Sequence, residues 1–390
     1  MIRVAFTMIG GPGWIGGYNY LCNLTKALSL HAVDQVRPVM FFGSDIEEAD
    51  LAPFRALAGV EIVQHPVFDR SRAAARLRTA LLTGRDRLAA EQFWSHDIQV
   101  VFEPAQFFGW RFEIPALAWI PDFQHRRLRS AFPAATFWRR ELGFQAQVMS
   151  GRRVMLSSED ARADCERFYP QTRGRTDVVS FSVPPDETAG PAGDHAIADS
   201  HGLPSRFFYL PNQFWTHKNH LCVIEALRIA AGRGRDDIVV AVSGKQNDPR
   251  DPGHFDRVME RVAAYGLADR FRVLGLIPYP HVGALTRSCE ALINASKFEG
   301  WSTTVEEAKA SGAPMMLSSL RVHREQASDA NFFDPDEPEA LADLLIASPA
   351  RSPADRANDA ARGAEHARAK HATFALAFAA AAQRTAVCRP

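Results

Sequence analysis

Two glutamates eight positions apart, Glu299 and Glu307, bracket the stretch Glu299-Gly300-Trp301-Ser302-Thr303-Thr304-Val305-Glu306-Glu307. It follows a short apolar run, Ala291–Asn294, and leads into a helical pattern that stops at Gly312 before a new run begins at Pro314. The order strand, glycine-bearing polar loop, helix places one carboxylate on the loop and the other in about the first helical turn, both near a strand end. Ser302 or Thr303 can cap that helix, leaving N–H groups aimed at an anion. Two carboxylates beside a phosphate are costly unless neutral hydroxyls donate to them, and a sugar and a ribose supply such hydroxyls. The plain alternative is a capped helix with acidic residues in its first turn, stabilised by the helix dipole.

A second polar segment, Leu210-Pro211-Asn212-Gln213-Phe214-Trp215-Thr216-His217-Lys218-Asn219-His220, sits between an apolar run and the helical pattern Leu221–Ile229. A lysine at a helix start is electrostatically unfavourable without an anion, which makes Lys218 a candidate phosphate contact with His217 beside it. Near the start of the chain, Gly10-Gly11-Pro12-Gly13-Trp14-Ile15-Gly16-Gly17 separates a strand from the helical pattern Tyr18–Leu28. Gly11, Gly13 and Gly16 satisfy GxGxxG and Asp45 follows the second strand, so an NAD-dependent oxidoreductase is one reading. The loop is longer than the tight fingerprint turn and carries bulky Trp14. A structural turn and an anion-contacting loop of another kind are the other readings.

With these residues in view, the chain resembles the retaining glycosyltransferases of the GT-B fold. Within them it resembles family 4, the "glycosyl transferases group 1" type that includes bacterial mannosyl- and glucosyltransferases, sucrose synthase and glycogen synthase. The hallmark is Glu, seven residues, Glu, standing here in EGWSTTVEEAKASGAPMML. The resemblance implies that Glu299 lies beside the donor sugar, that Gly300, Trp301, Ser302 and Thr303 contact sugar and phosphates, and that Glu307 holds the ribose. It assigns Lys218 to the diphosphate. Asn212 stands where the family usually has arginine, which removes a fixed charge from the clamp. Gly16 and Gly17 fall on the donor side of the glycine loop, Gly244 on a glycine-bearing loop, and Ile277 on the base-contacting segment. Past the run Ala116–Ile120 the family often carries a histidine facing the donor sugar; here Pro121 takes that position, Asp122 keeps an acid and His125 follows. Asp122 and His125 are the acceptor-side candidates, each against the alternative of a helix-capping loop residue. Ser158 reads as a helix cap.

The implied reaction is transfer of a sugar, a hexosyl group, from a nucleoside-diphosphate donor to a hydroxyl of a saccharide or lipid-linked acceptor. It retains anomeric configuration and requires no metal or other cofactor. Bacterial surface polysaccharide assembly is the expected setting. Closure of two domains around a cleft would exclude water while Lys218 and loop N–H groups stabilise the departing diphosphate. A same-fold sugar-nucleotide epimerase, a phosphorylase-like enzyme and a noncatalytic sugar-nucleotide sensor remain the alternatives.

The elements that must position these residues recur as short apolar runs alternating with amphipathic stretches. They are Ile2–Met8, Val36–Phe42, Ile98–Phe102, Ala116–Ile120 and Arg153–Leu156, then Phe207–Leu210, Ile238–Val242, Phe271–Leu274, Ala291–Asn294 and Pro314–Leu317. That alternation predicts parallel sheets in an α/β fold of two Rossmann-like domains facing a central cleft. Ligands then bind in loops after the strands. The expected divisions are 1–183 on the acceptor side, a linker over 184–200 (PPDETAGPAGDHAIADS), a nucleotide-sugar domain over 201–363 and a closing helix over 364–390 that packs back on the first domain.

A length of 390 residues suits two cores, and 46% hydrophobic with 10% aromatic residues excludes disorder. Forty-five basic residues balance forty-five acidic ones, which argues against a nucleic-acid partner. Five scattered cysteines without metal spacing predict reduced thiols and a cytoplasmic chain. The first residues lack the basic and long apolar regions of a signal peptide, and nothing reads as a membrane span. Arginines cluster at Arg70, Arg72, Arg76, Arg78, Arg85 and Arg87, and again at Arg126, Arg127, Arg129, Arg139 and Arg140. Those clusters read either as solvated helix faces or as a peripheral contact with the inner face of the cytoplasmic membrane.

Overall fold

The computed structural model describes residues 1–9, 15–104, 106–185 and 191–387. The chain divides into two compact units, residues 1–182 with 370–390, and residues 183–369.

The first unit holds a parallel sheet of seven strands, β1 (Ile2–Thr7), β2 (Val36–Phe42), β3 (Glu61–Gln64), β4 (Val100–Glu103), β5 (Ala116–Trp119), β6 (Arg153–Leu156) and β7 (Thr176–Val178), in the order β3-β2-β1-β4-β5-β6-β7. Its inner strands are buried along their length, as expected of a parallel sheet with both faces covered. One face packs on the Ile15–His31 helix and on the end of the last helix: Phe6 stacks on Phe378, and Tyr20 stacks on Trp119 and meets Phe374 edge-on. Arg384 on that helix pairs with Asp177 of β7.

The second unit is a six-stranded parallel sheet, β8 (Phe208–Leu210), β9 (Val240–Ser243), β10 (Phe271–Gly275), β11 (Leu292–Asn294), β12 (Met315–Ser318) and β13 (Asn331–Phe333), in the order β10-β9-β8-β11-β12-β13. Strand order reverses between β8 and β11, the crevice where open parallel sheets bind ligands.

Two boundaries differ from the sequence expectation. Within the stretch 184–200, residues Pro191–Ser200 form a helix that packs on the Tyr279–Ser288 helix, anchored by Asp194 to Arg287 at 2.7 Å. Its composition hides this, because the helix is tied down by one buried ion pair and by Ile197 and Ala198 rather than by a long apolar stripe. The last helix begins at Pro353, well before residue 364, and runs to Val387, with residues 353–369 in the second unit and the remainder in the first. No helix among the described residues is long and apolar enough to cross a membrane. Cys22, Cys165, Cys222 and Cys289 are free thiols; Cys388 lies outside the described residues.

Candidate functional site

The loops after β8 and β11 meet at the point where strand order reverses. Trp215, in an extended conformation, leads into the short turn Thr216–Lys218, which ends at Asn219 with a left-handed backbone (φ 59°) and starts the His220–Gly232 helix. This brings Lys218 Nζ to 2.6 Å from Glu299 Oε1, with both side chains largely buried. Burial opposes ionisation of Glu299, but Lys218 and the neighbouring His323 outweigh it and hold the carboxyl down at about 2. The same oxygen accepts from Ser296 Oγ at 2.7 Å.

Asn294, the fully buried last residue of β11, organises the rest of the loop. Its amide nitrogen donates to Ser302 Oγ at 3.0 Å and reaches Thr304 Oγ1 at 3.3 Å, while its oxygen accepts from Ser296 Oγ at 2.6 Å. Ser302 is the residue preceding the Thr303–Ser311 helix, yet its hydroxyl is drawn to Asn294 and makes no capping bond. The cap expected from Ser302 or Thr303 is therefore not formed by a side chain. The first N–H groups of that helix keep their positive end for another acceptor.

The adjacent glutamates of this helix differ in kind. Glu306 is buried and held by Gln326 Nε2 at 2.9 Å and Lys309 Nζ at 3.3 Å, a structural arrangement. Glu307 is half-buried with no cation beside it and accepts from Tyr279 Oη at 2.8 Å. Burial raises its pKa to about 7, with the Tyr279 hydrogen bond pulling the other way. Tyr279 itself is 62% exposed and stands two residues after Ile277. Nothing in the sequence sets this tyrosine apart from other surface aromatics, so only the structure reveals its place beside Glu307.

On the other side of β8, Gly244 follows β9 with φ +147°. A β-carbon there would lie 2.6 Å from Asn212 O, so only glycine lets the two loops run this close. Asn212 is buried and its Nδ2 has no hydrogen-bond partner among the described residues. The next residue, Lys245, accepts Phe214 N–H at its carbonyl and makes no ion pair among the described residues. Burial and then Lys218 push the His217 pKa down to about 3, so His217 is neutral near pH 7 and adds no charge beside Lys218. Gly300 and Trp301 complete the loop, both partly exposed.

Four expected site residues belong to the first unit. Gly16 and Gly17 open the Ile15–His31 helix, whereas Gly10 to Trp14 lie outside the described residues. Asp122 caps its own turn, accepting Gln124 N–H at 2.8 Å, and pairs with Arg140 at 2.6 Å. His125 is fully buried, its Nε2 on Glu141 Oε2 at 3.1 Å and its ring among Phe137 and Phe144. Burial lowers its pKa. This geometry makes His125 part of a core network rather than a loop residue open to an acceptor. Ser158 caps its helix at Ala161 N–H. Asp45 accepts Arg70 N–H at 2.9 Å, which occupies an oxygen that a dinucleotide ribose would need. Among the described residues no three His, Cys, Asp or Glu side chains come together as a metal site.

Residues 199–361 match the family model described as "Glycosyl transferases group 1". Among solved structures, the chain is similar to Alr3699/HepE of Anabaena in complex with UDP and glucose, at 14% identity and a TM-score of 0.67, covering 98% of this chain and 100% of that one. It is similar to sucrose-phosphate synthase of Thermosynechococcus elongatus, at 16% identity and 0.65, covering 98% and 99%. It is also similar to an α,α-trehalose-phosphate synthase (UDP-forming) of Burkholderia vietnamiensis, at 12% identity and 0.63, covering 98% and 100%. These likenesses show the fold, which is GT-B; the family domain adds the activity. The chain is a glycosyltransferase. No curated protein matches it. In this glycosyltransferase the matched domain contains the site residues from Asn212 to Glu307.

Proposed function

We propose that the chain transfers a hexosyl group, with retention, from a nucleoside-diphosphate sugar to a hydroxyl of a saccharide or lipid-linked acceptor. A cytoplasmic place in surface polysaccharide assembly completes the proposal. The observation that carries it is the pairing of an ionised, cation-held Glu299 on the loop with a cation-free Glu307 eight residues on, inside the Thr303–Ser311 helix that no side chain caps. Glu307 suits ribose hydroxyls, which donate to a carboxylate without adding charge. Glu299 suits a sugar hydroxyl, with Lys218 placed to turn from the carboxylate to the diphosphate. The free N–H groups from Thr303 onward face the same phosphates.

In the step itself the bond from the anomeric carbon to the diphosphate oxygen breaks, a bond to the acceptor oxygen forms, and the acceptor proton leaves with the diphosphate. Stabilising the departing charge by Lys218 and the helix terminus is the main catalytic contribution. Retention rests on the family resemblance. UDP is the first nucleotide to try, because several structures of similar fold hold UDP or UDP-glucose. A thermal-shift series with UDP, GDP, ADP and their sugars tests the proposal, since a ligand of the native state raises the melting temperature. Stabilisation by one nucleoside diphosphate that is lost in Glu307→Ala supports it; stabilisation by NAD and by no nucleoside diphosphate overturns it.

A further inference from the structure

The helix Ala73–Thr83 is inside out. It has the sequence AAARLRTALLT and rests on the first unit through a narrow face, Arg76 and Ala80. Arg76 Nε donates to buried Asp86 at 2.7 Å, and its guanidinium lies over the Phe68 ring at 4.9 Å. The outward side carries Leu77, Leu81 and Leu82, the last 79% exposed, alongside Ala74, Arg78, Thr79 and Thr83, so three leucines face water where a surface helix ordinarily turns polar residues. At its end Gly84 takes a left-handed backbone (φ 83°), and a β-carbon there would meet Trp110 Nε1 at 2.8 Å. Half-exposed Trp110 therefore stands beside the C-terminal end of this helix.

Two arginines beside this face are uncommitted. The helix contains no acid. Arg72 and Arg78 make no ion pair among the described residues, while Arg85 and Arg87 are engaged by Glu113 and Glu91 at the surface. In the second arginine cluster Arg126, Arg127 and Arg140 are tied to Glu141, Asp164 and Asp122, Arg129 donates to the Phe132 carbonyl at 2.8 Å, and Arg139 makes no ion pair among the described residues. An exposed apolar stripe, a tryptophan beside the helix end and unpaired arginines together match the demands of a lipid–water interface carrying negative headgroups. A second copy of the chain fits less well, since a two-fold contact through this face sets Arg72 and Arg78 near their own copies with no acid on the helix to offset them. We propose that the face formed by Leu77, Leu81 and Leu82, with Arg72 and Arg78 and with Trp110 beside the helix end, docks on an anionic phospholipid surface. The inference stands independently of the donor-site reading.

The test is co-sedimentation of the full chain with vesicles of phosphatidylcholine alone and of equal parts phosphatidylcholine and phosphatidylglycerol. Expected is binding to the mixed vesicles about tenfold above binding to phosphatidylcholine, weakened by added salt. The double variants Leu81→Ser/Leu82→Ser and Arg72→Glu/Arg78→Glu should each lower that binding roughly tenfold. Both should leave the melting temperature unchanged, because the altered side chains are exposed. No preference for anionic vesicles, or equal binding by the variants and the parent, overturns the proposal. So does a concentration-dependent dimer abolished by the leucine variants, which would assign the face to self-association. Thermal shift with nucleoside diphosphates on the same variants reads the donor site separately.

Discussion

Lys218 Nζ lies 2.6 Å from Glu299 Oε1, joining the loop after β8 to the loop after β11 across the point where strand order reverses. The pair fixes the ionisation of a buried acid and leaves the cation beside the expected diphosphate already neutralised in the free protein. Removing one partner of a buried pair strands the other charge, at a cost of roughly 3–5 kcal/mol. Lys218→Met is therefore expected to destabilise the chain by about that amount in urea unfolding, and Lys218→Met/Glu299→Gln to regain most of it. Neither variant should bind donor like the parent. A single Lys218→Met variant as stable as the parent would show that the pair is not closed in solution.

Glu307 gives a pH prediction. Its pKa of about 7 in the folded chain lies above the ordinary carboxyl value, so the protonated form is favoured by folding. The stabilisation is fully present below the unfolded value and is lost as pH rises through about 7. Glu307→Gln should consequently raise the melting temperature above that of the parent at pH 8, with the gain shrinking toward pH 5. Donor binding should run the other way: ribose hydroxyls donate to the carboxylate, so nucleoside-diphosphate affinity rises with pH through about 7 and binding near pH 7 releases a proton. Calorimetry in buffers of different ionisation enthalpy measures that release, and a pH-independent affinity with no proton uptake or release refutes the ribose role.

Much of the fold can be read from the sequence, because its inner strands are buried and apolar. Ten of the expected runs coincide with observed strands, with ends shifted by a residue or two. The strands without a matching run are β3, β7 and β13, each at an edge of its sheet, three or four residues long, and partly exposed. Short polar edge strands such as Thr176–Val178 carry too little periodicity to stand out. At the site, the spacing of Glu299 and Glu307 and the lysine at a helix start are one-dimensional signals. Tyr279 reaches Glu307 across 28 positions of sequence, and the core role of His125 depends on Glu141 and on the phenylalanines around it; neither relation has a local signature.

Glycines separate backbone need from mere space. Gly312 ends the site helix with φ +66°, and a β-carbon there would come within 1.8 Å of Asp359 O on the last helix. Gly312→Ala should cost at least about 2 kcal/mol and weaken donor binding, because the 303–311 helix must shift. Gly143 lies within the Ala134–Met149 helix, with open space where a β-carbon would stand. Gly143→Ala should stabilise by about 0.5–1 kcal/mol through lost unfolded-state entropy. Urea titrations of the two variants check both signs.

Lys245 bears directly on the charge of the donor. Leu210 pairs with Val242 in register, and Gly244 lies against Asn212, so Lys245 follows directly at the same edge of the sheet as Lys218. With an asparagine at 212 and Lys218 held by Glu299, the negative charge of a diphosphate meets a site with no uncommitted cation other than Lys245 among the described residues of these loops. Lys245→Ala is expected to weaken nucleoside-diphosphate binding about tenfold, or about 1.4 kcal/mol, and to reduce its salt dependence, while leaving the melting temperature of the free chain unchanged. Lys245→Arg should keep most of the affinity, since a long cation is what the diphosphate requires. An alanine variant with parental affinity would place the whole electrostatic burden on Lys218 and on the N–H groups that begin at Thr303, and would predict that Lys218→Met abolishes binding outright.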